Sequence, residues 1–295
     1  MNAWANKRKY LAPQGETCCQ EIPHTDFCVS SPDMEIVTYL ITGTVAGLLA
    51  GLLGIGGGLV IVPALAMLYV HQGFAADTVM HYAVGTSLAT IVVTSVSSLL
   101  AHHRRGSVDW LIVRRMSPSI VVGALGGARL AGYISSPGLG MFFGVFELLV
   151  ALQLAFAFQP AGHRPAPSRA GLGLAGAVIG AVSALLGIGG GTLTVPFLLW
   201  NRVDIRVAVG TAAACGLPIA MGGAAGFAMA SLSAASPQGP STGFIYWPAV
   251  AGIVLASIPM APVGARLAHH LPRTILQRVF ALLLVIVGAK MVLGI

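Results

Sequence analysis

LLGIGGGLVIVP, at residues 52–63, returns almost unchanged as LLGIGGGTLTVP at residues 185–196, an offset of 133 positions. Two further matches follow in the same order. AVGT at 83–86 recurs at 208–211, offset 125, and GARLA at 127–131 recurs at 264–268, offset 137. The last offset also pairs Gly106 and Trp110 with Gly243 and Trp247. Ordered matches at a nearly constant offset are the signature of an internal duplication, and a duplication governs the whole fold. The first half covers residues 36–159 and the second 171–295. Between them, residues 160–170 form a proline-rich linker with Arg164 and Arg169.

The composition says what surrounds these halves. Of 295 residues, 56% are hydrophobic and 8% charged, where a soluble domain devotes about a quarter of its residues to charge. Five of the nine acids (Glu16, Glu21, Asp26, Asp33, Glu35) precede residue 36, which leaves Asp77, Asp109, Glu147 and Asp204 for all the rest. The net charge of +7 comes from basic residues scattered between apolar runs. They form no basic stripe of the kind that binds nucleic acid.

Crossing the hydrocarbon core of a bilayer as a helix takes about 20 apolar residues. Runs at 36–53, 79–101, 111–134, 139–158, 171–186, 207–232, 244–268 and 275–293 qualify. Shorter runs at 59–70 and 192–200 follow directly on the glycine clusters. The continuous Gly/Ala/Leu/Val character excludes the short alternating segments of a β-barrel. The expected fold is an all-α polytopic membrane protein, with the lipid bilayer as its surroundings and ten membrane-embedded segments, five per half.

Residues 1–34 read as a polar tail. Its basic start is not followed by an apolar h-region, so it lacks the pattern of a signal peptide. Cys18, Cys19 and Cys28 have no zinc-ligand spacing, and Cys215, within an apolar run, reads as a small packed hydrophobe. No metal or other cofactor is indicated.

Positive charge orients the segments, since Lys and Arg in short loops stay cytoplasmic. The loop with Arg104, Arg105, Arg114 and Arg115, the linker, the loop with Arg202 and Arg206, and the HHLPR turn with Arg273 are all assigned inside. The uncharged SAASPQGPSTG loop falls outside. This assignment makes 171–200 enter and return. It runs 79–101 inward and its counterpart 207–232 outward, so the halves are inverted repeats. Both termini are then extracytoplasmic, and the location is the inner membrane.

Glycine tolerates unusual backbone angles and lets other groups approach the chain closely. Broken helices at matching positions of two inverted halves point to a transport site. A helix restarting after such a break presents free N–H groups and a positive dipole end, which suits an anion. Gly56, Gly57, Gly58 and Pro63, matched by Gly189, Gly190, Gly191 and Pro196, are therefore candidate substrate-binding residues. Thr192 adds a hydroxyl where the first half has Leu59. Thr86 and Thr211, in the AVGT repeats, supply hydroxyls for an oxyanion shell. The competing role for all of these small and hydroxylated residues is close helix packing.

Glu147 is the one acid deep within a span, facing Leu284 in the repeat alignment. An ionisable group there is costly and carries a function by default, such as holding a coupling proton. The alternative is a structural hydrogen bond to a neighbouring hydroxyl. Arg129 and Arg266, in the GARLA repeats, either attract anions or snorkel to headgroups.

The duplicated LLGIGGG with its VP, the AVGT segments, the HHRRGSVDW loop and the paired GARLA together resemble the TauE/SafE sulfite exporter family over residues 36–295. That resemblance implies an inner-membrane secondary transporter, and not an enzyme. Its implied substrate is a small sulfur-containing anion such as sulfite or an organosulfonate; the candidate coupling ions are H⁺ and Na⁺, between which the residues do not decide. A passive anion channel shares the glycine features. An intramembrane enzyme would need a nucleophile and base, and the spans contain no HExxH or GxSxG.

Overall fold

The computed structural model describes residues 32–53, 57–155, 168–230, 239–268 and 273–293. Among them are ten α-helices, with the first half contributing α1 (Pro32–Leu53), α2 (Gly58–His71), α3 (Val79–Arg104), α4 (Trp110–Ala131) and α5 (Ser136–Ala155). The second half contributes α6 (Arg169–Leu186), α7 (Gly191–Trp200), α8 (Ile205–Ala230), α9 (Trp247–Ala268) and α10 (Arg273–Leu293). The cysteines of the tail, Gly56, most of the linker and the HHLP residues lie outside the described residues.

Five helices, α3, α5, α6, α8 and α9, are long and apolar enough to cross a membrane. α2 and α7 are too short, as their sequence suggests. α4 and α10 each carry three basic residues, Arg114, Arg115 and Arg129 in one and Arg273, Arg278 and Lys290 in the other. The chain is a multi-pass helical membrane protein. Its outer helices show apolar side chains outward, among them Val122, Leu174, Leu255 and Ile286. That surface suits lipid and would be an aggregation hazard in water.

Local chemistry sets the helix ends. Asp109 caps α4 by accepting from the backbone N–H of Leu111 at 2.9 Å and Ile112 at 3.2 Å, and Ser168 caps α6 by accepting from Gly171 at 3.1 Å. Asp204 accepts from Arg206 N–H at 2.8 Å, at the start of α8. Gly106 and Gly243, a repeat pair, turn with φ of +66° and +63°, angles that favour glycine. Gly243 sits in the turn of a small hairpin, β1 (Ser241–Thr242) with β2 (Ile245–Tyr246). Consequently α9 begins at Trp247, three residues later than the apolar run.

α3 and α8 form the centre; every residue from 79 to 91 is buried. These two repeat-related helices cross antiparallel: Gly85 lies against Phe227, Gly223 against Leu88 and Gly216 against Ser95. α5 and α10, also a repeat pair, run antiparallel as well, with Gly140 by Met291 and Gly288 by Leu148. By contrast α1 runs parallel to α9, and α4 to α6. Gly127 of α4 packs on Ala181 of α6, while its repeat partner Gly264 packs on Leu48 of α1. Leu48 and Ala181 are themselves equivalent by the 133-residue offset. These two contacts are thus counterparts with the halves exchanged. The GARLA glycines are where helices from opposite halves touch.

Candidate functional site

Each glycine cluster interrupts a helix. In the second half α6 stops at Leu186, and Gly187 takes φ +66° while Ile188 N–H bonds the Ser183 carbonyl at 3.1 Å. This is a left-handed helix stop that glycine makes at little cost. α7 then restarts, with the Gly190 carbonyl taking the Thr194 N–H at 3.0 Å. In the first half α2 restarts at Gly58, and the Gly57 carbonyl takes the N–H groups of Val60 and Ile61 at 3.0 Å. Pro63 and Pro196 lie within these short helices. Lacking an N–H, they leave the carbonyls of Leu59 and Thr192 without their usual partner four residues on.

The two breaks meet. A Cβ placed on Gly58 would lie 2.5 Å from the Gly187 carbonyl oxygen and 2.8 Å from Ile188 Cα. Backbone touches backbone across the halves, and Ser87 of α3 ties the contact by donating to the Gly187 carbonyl at 2.8 Å. Gly190 is equally confined, 2.6 Å from the Ala212 carbonyl on the same construction. Gly189 differs: its nearest neighbour is Ile91 Cγ2 at 3.7 Å, ordinary contact distance. Gly57 has the flexible end of Ile61 at 3.1 Å and the Ala46 carbonyl oxygen at 3.8 Å, an ordinary contact distance. The clusters therefore contain both packing glycines and glycines with room beside them.

Thr86 and Thr211 are buried, and the structure gives them matching work. Thr86 Oγ1 accepts from the Tyr246 N–H at 3.0 Å and from the Tyr69 hydroxyl at 3.2 Å. Thr211 Oγ1 accepts from the Asp109 N–H at 3.0 Å. Asp109 and Tyr246 are equivalent by the 137-residue offset, so each threonine pins the start of a helix in the opposite half. Replacing either by valine leaves a backbone N–H without this partner, at about 1–3 kcal/mol. Thr86→Val and Thr211→Val are both expected to lower thermal stability, Thr86→Val by more because it also leaves the buried Tyr69 hydroxyl without its acceptor, and melting curves of the purified variants measure the difference.

Other hydroxyls have no partner at all. Ser183, Thr192 and Thr194 flank the second break, and each hydroxyl is buried without a hydrogen bond. In the first half the matching positions are Ala50, Leu59 and Ile61. Three of the unpartnered buried hydroxyls among the described residues thus lie at one break, while Ser241 lies elsewhere. Thr192 is evident from comparing the repeats by sequence; Ser183 and Thr194 differ from their partners in the same way and are recognised here by their lack of a bond.

Aromatic rings cluster at one end of the molecule. Tyr69 stacks on Phe74 at 4.4 Å, Phe74 meets Tyr82 at 5.2 Å and Tyr246 at 5.5 Å, and Tyr82 meets Phe244 at 5.3 Å. Tyr39 joins through its hydroxyl, which donates to Gln72 at 2.8 Å. The repeat counterparts of Tyr39, Tyr69, Tyr82, Phe244 and Tyr246 are Leu172, Arg202, Val207, Ser107 and Asp109. The opposite end has no such mesh at these positions.

Glu147 is fully buried, and neither carboxyl oxygen has a hydrogen-bond partner, so the alternative of a structural bond to a neighbouring hydroxyl does not form. Arg129 is exposed in the last turn of α4, and Arg266 falls within α9. Arg129 is not among the residues that touch the meeting of the breaks. Cys215 is buried in α8 with apolar neighbours.

The family described as sulfite exporter TauE/SafE matches residues 39–291. A probable membrane transporter protein of Haemophilus influenzae is 34% identical over 261 residues, covering 88% of this chain and 98% of that protein. The probable membrane transporter protein YunE of Bacillus subtilis is 32% identical over 202 residues, covering 60% and 72%. YdhB of the same organism, also a probable membrane transporter protein, is 24% identical over 82% of this chain and 94% of its own length. No solved structure matches the chain. A match that begins in α1 and ends in α10, across both glycine breaks, makes this chain a member of the TauE/SafE sulfite exporter family.

Proposed function

We propose that this membrane transporter is a secondary exporter of small sulfur-containing anions, sulfite or organosulfonates, working by alternating access between two inverted repeats in the inner membrane. The observation that carries the reading is the meeting of two helix breaks with unpartnered hydroxyls from Ser183, Thr192 and Thr194 around one of them. Free N–H groups at the start of α7 and these hydroxyls hold an oxyanion without a full positive charge. The antiparallel packing of α3 on α8 and α5 on α10 supports inversion, because equivalent helices related by a two-fold axis in the membrane plane must run in opposite directions. Charge placement supports extracytoplasmic termini, which puts the aromatic mesh at the outer end as a closed gate.

Counterflow in proteoliposomes tests the transport step. Labelled sulfite or sulfoacetate outside is expected to accumulate against unlabelled anion inside, independently of membrane voltage. Flux that follows voltage without counterflow indicates a channel, and absence of any sulfur-anion exchange overturns the assignment. Orientation has its own test: alkaline phosphatase fused to the C-terminus is expected to be active, and an inactive fusion with a fluorescent green-fluorescent-protein counterpart contradicts the inverted arrangement.

A further inference from the structure

We propose that Glu147 is the proton-binding site that couples transport to the proton gradient, an inference that rests on the transporter reading. The other three acids beyond the first helix have evident surroundings: Asp109 caps α4, Asp204 caps the start of α8, and Asp77 is exposed. Glu147 alone is fully buried with both oxygens unpartnered. Packing does not explain it, since the equivalent position in α10 is Leu284, buried just as completely.

Its place is mechanically significant. Glu147 Cβ lies 3.2 Å from the Cβ position of Gly288, where α5 and α10 cross antiparallel; Gly144 approaches the Gly288 carbonyl one turn away. This is a contact between halves, so it rearranges when the halves exchange roles. Apart from Glu147, α5 has no ionisable residue. α5 packs against α10, α3 and α6. On α10, Arg278 and Lys290 are exposed. On α3, His81 is held through Nε2 to the Ala131 carbonyl at 3.0 Å, and His102, His103 and Arg104 occupy the far end. On α6, Arg169 is exposed at the first residue. No counter-charge is recorded beside the carboxyl among the described residues.

An ionised carboxylate taken out of water with neither partner nor counter-charge is prohibitively costly, and such groups neutralise instead. In the packed state the carboxyl is therefore the neutral acid. When the α5–α10 contact opens to water, the O–H bond breaks and the proton passes to water on that side. The carboxylate stays hydrated while the halves exchange roles, and a proton from the opposite side then re-forms the O–H bond and lets the contact close. One proton moves per cycle, and the carboxyl's charge decides whether the contact can close.

The test uses the full chain in proteoliposomes, with Glu147→Gln as a neutral mimic and Glu147→Leu as the variant that copies Leu284. Both are expected to keep wild-type counterflow of labelled sulfite at equal pH and to lose all accumulation driven by an imposed pH gradient. Gradient-driven accumulation by Glu147→Gln overturns the proposal, as does loss of counterflow in both variants when they are folded by melting curve. A readout free of substrate separates this proposal from the transport assignment. The infrared spectrum of the reconstituted protein at neutral pH is expected to contain a protonated-carboxyl C=O band that vanishes in Glu147→Gln. Its absence from the wild type overturns the proposal even where sulfite exchange is intact; its presence without sulfite exchange leaves the proton site standing and removes the substrate assignment.

Discussion

Thr194→Val is expected to make the protein more stable while disabling it. Thr194 is fully buried in α7 and its hydroxyl has no hydrogen-bond partner. Valine has nearly the same shape, so removing that group relieves a buried unsatisfied hydroxyl at a gain of about 1 kcal/mol. If the hydroxyl serves the substrate instead, the same change removes a hydrogen bond to a charged group. Such bonds contribute about 1.5–3 kcal/mol, which is roughly tenfold to a hundredfold in affinity. Melting temperature should rise and sulfite exchange should fall by at least tenfold at subsaturating substrate. Thr192→Val should behave alike. A structural threonine gives the opposite sign in the melting curve, as expected for Thr86 and Thr211, whose oxygens accept backbone N–H groups.

The second large effect is steric. Gly58→Ala and Gly190→Ala each drive a methyl group into backbone of a neighbouring segment, Gly187 and Ile188 in one case and Ala212 and Gly216 in the other. Backbone cannot step aside as the end of a side chain can, and overpacking of this kind costs about 1–3 kcal/mol or more. Because the Gly58 contact is the meeting of the two breaks, both stability and transport are expected to collapse together. Gly189→Ala is the control, since its methyl meets Ile91 at ordinary distance. It should melt near wild type, and any loss of transport then reports on the space beside the backbone. Measuring melting temperature and counterflow for all three distinguishes packing glycines from a glycine that faces substrate.

Much of this architecture can be read from the sequence because it is repeated. LLGIGGG, AVGT and GARLA mark both breaks, the central helices and helix contacts between halves. The pairing between halves is less accessible. Thr86 bonds Tyr246 and Thr211 bonds Asp109, partners 160 and 102 residues away. A sequence shows these as hydroxyls without showing whether their bonding capacity is already used. The reverse holds for Ser183 and Thr194, which look like ordinary helix hydroxyls until their surroundings are seen to offer no partner. The hairpin at 241–246 straddles the uncharged loop and the start of an apolar run, and its second strand is not legible because Phe244 and Ile245 are as hydrophobic as a span but follow a glycine with φ of +63°. Glu147 was evident as an oddity of composition, whereas its missing hydrogen bonds required the fold.

The central claim is that a sulfur oxyanion is held at the second glycine break. Its most direct test is ligand-induced thermal stabilisation of the purified protein beside a Ser183→Ala, Thr192→Val, Thr194→Val triple variant, titrated with sulfite, thiosulfate, sulfoacetate and sulfate. A ligand that binds only the folded state raises stability with its concentration. The account predicts that at least one sulfur anion raises the wild-type melting temperature in a saturable way and leaves the more stable triple variant unmoved. Equal stabilisation of both proteins, or of neither by any of the four anions, would contradict it.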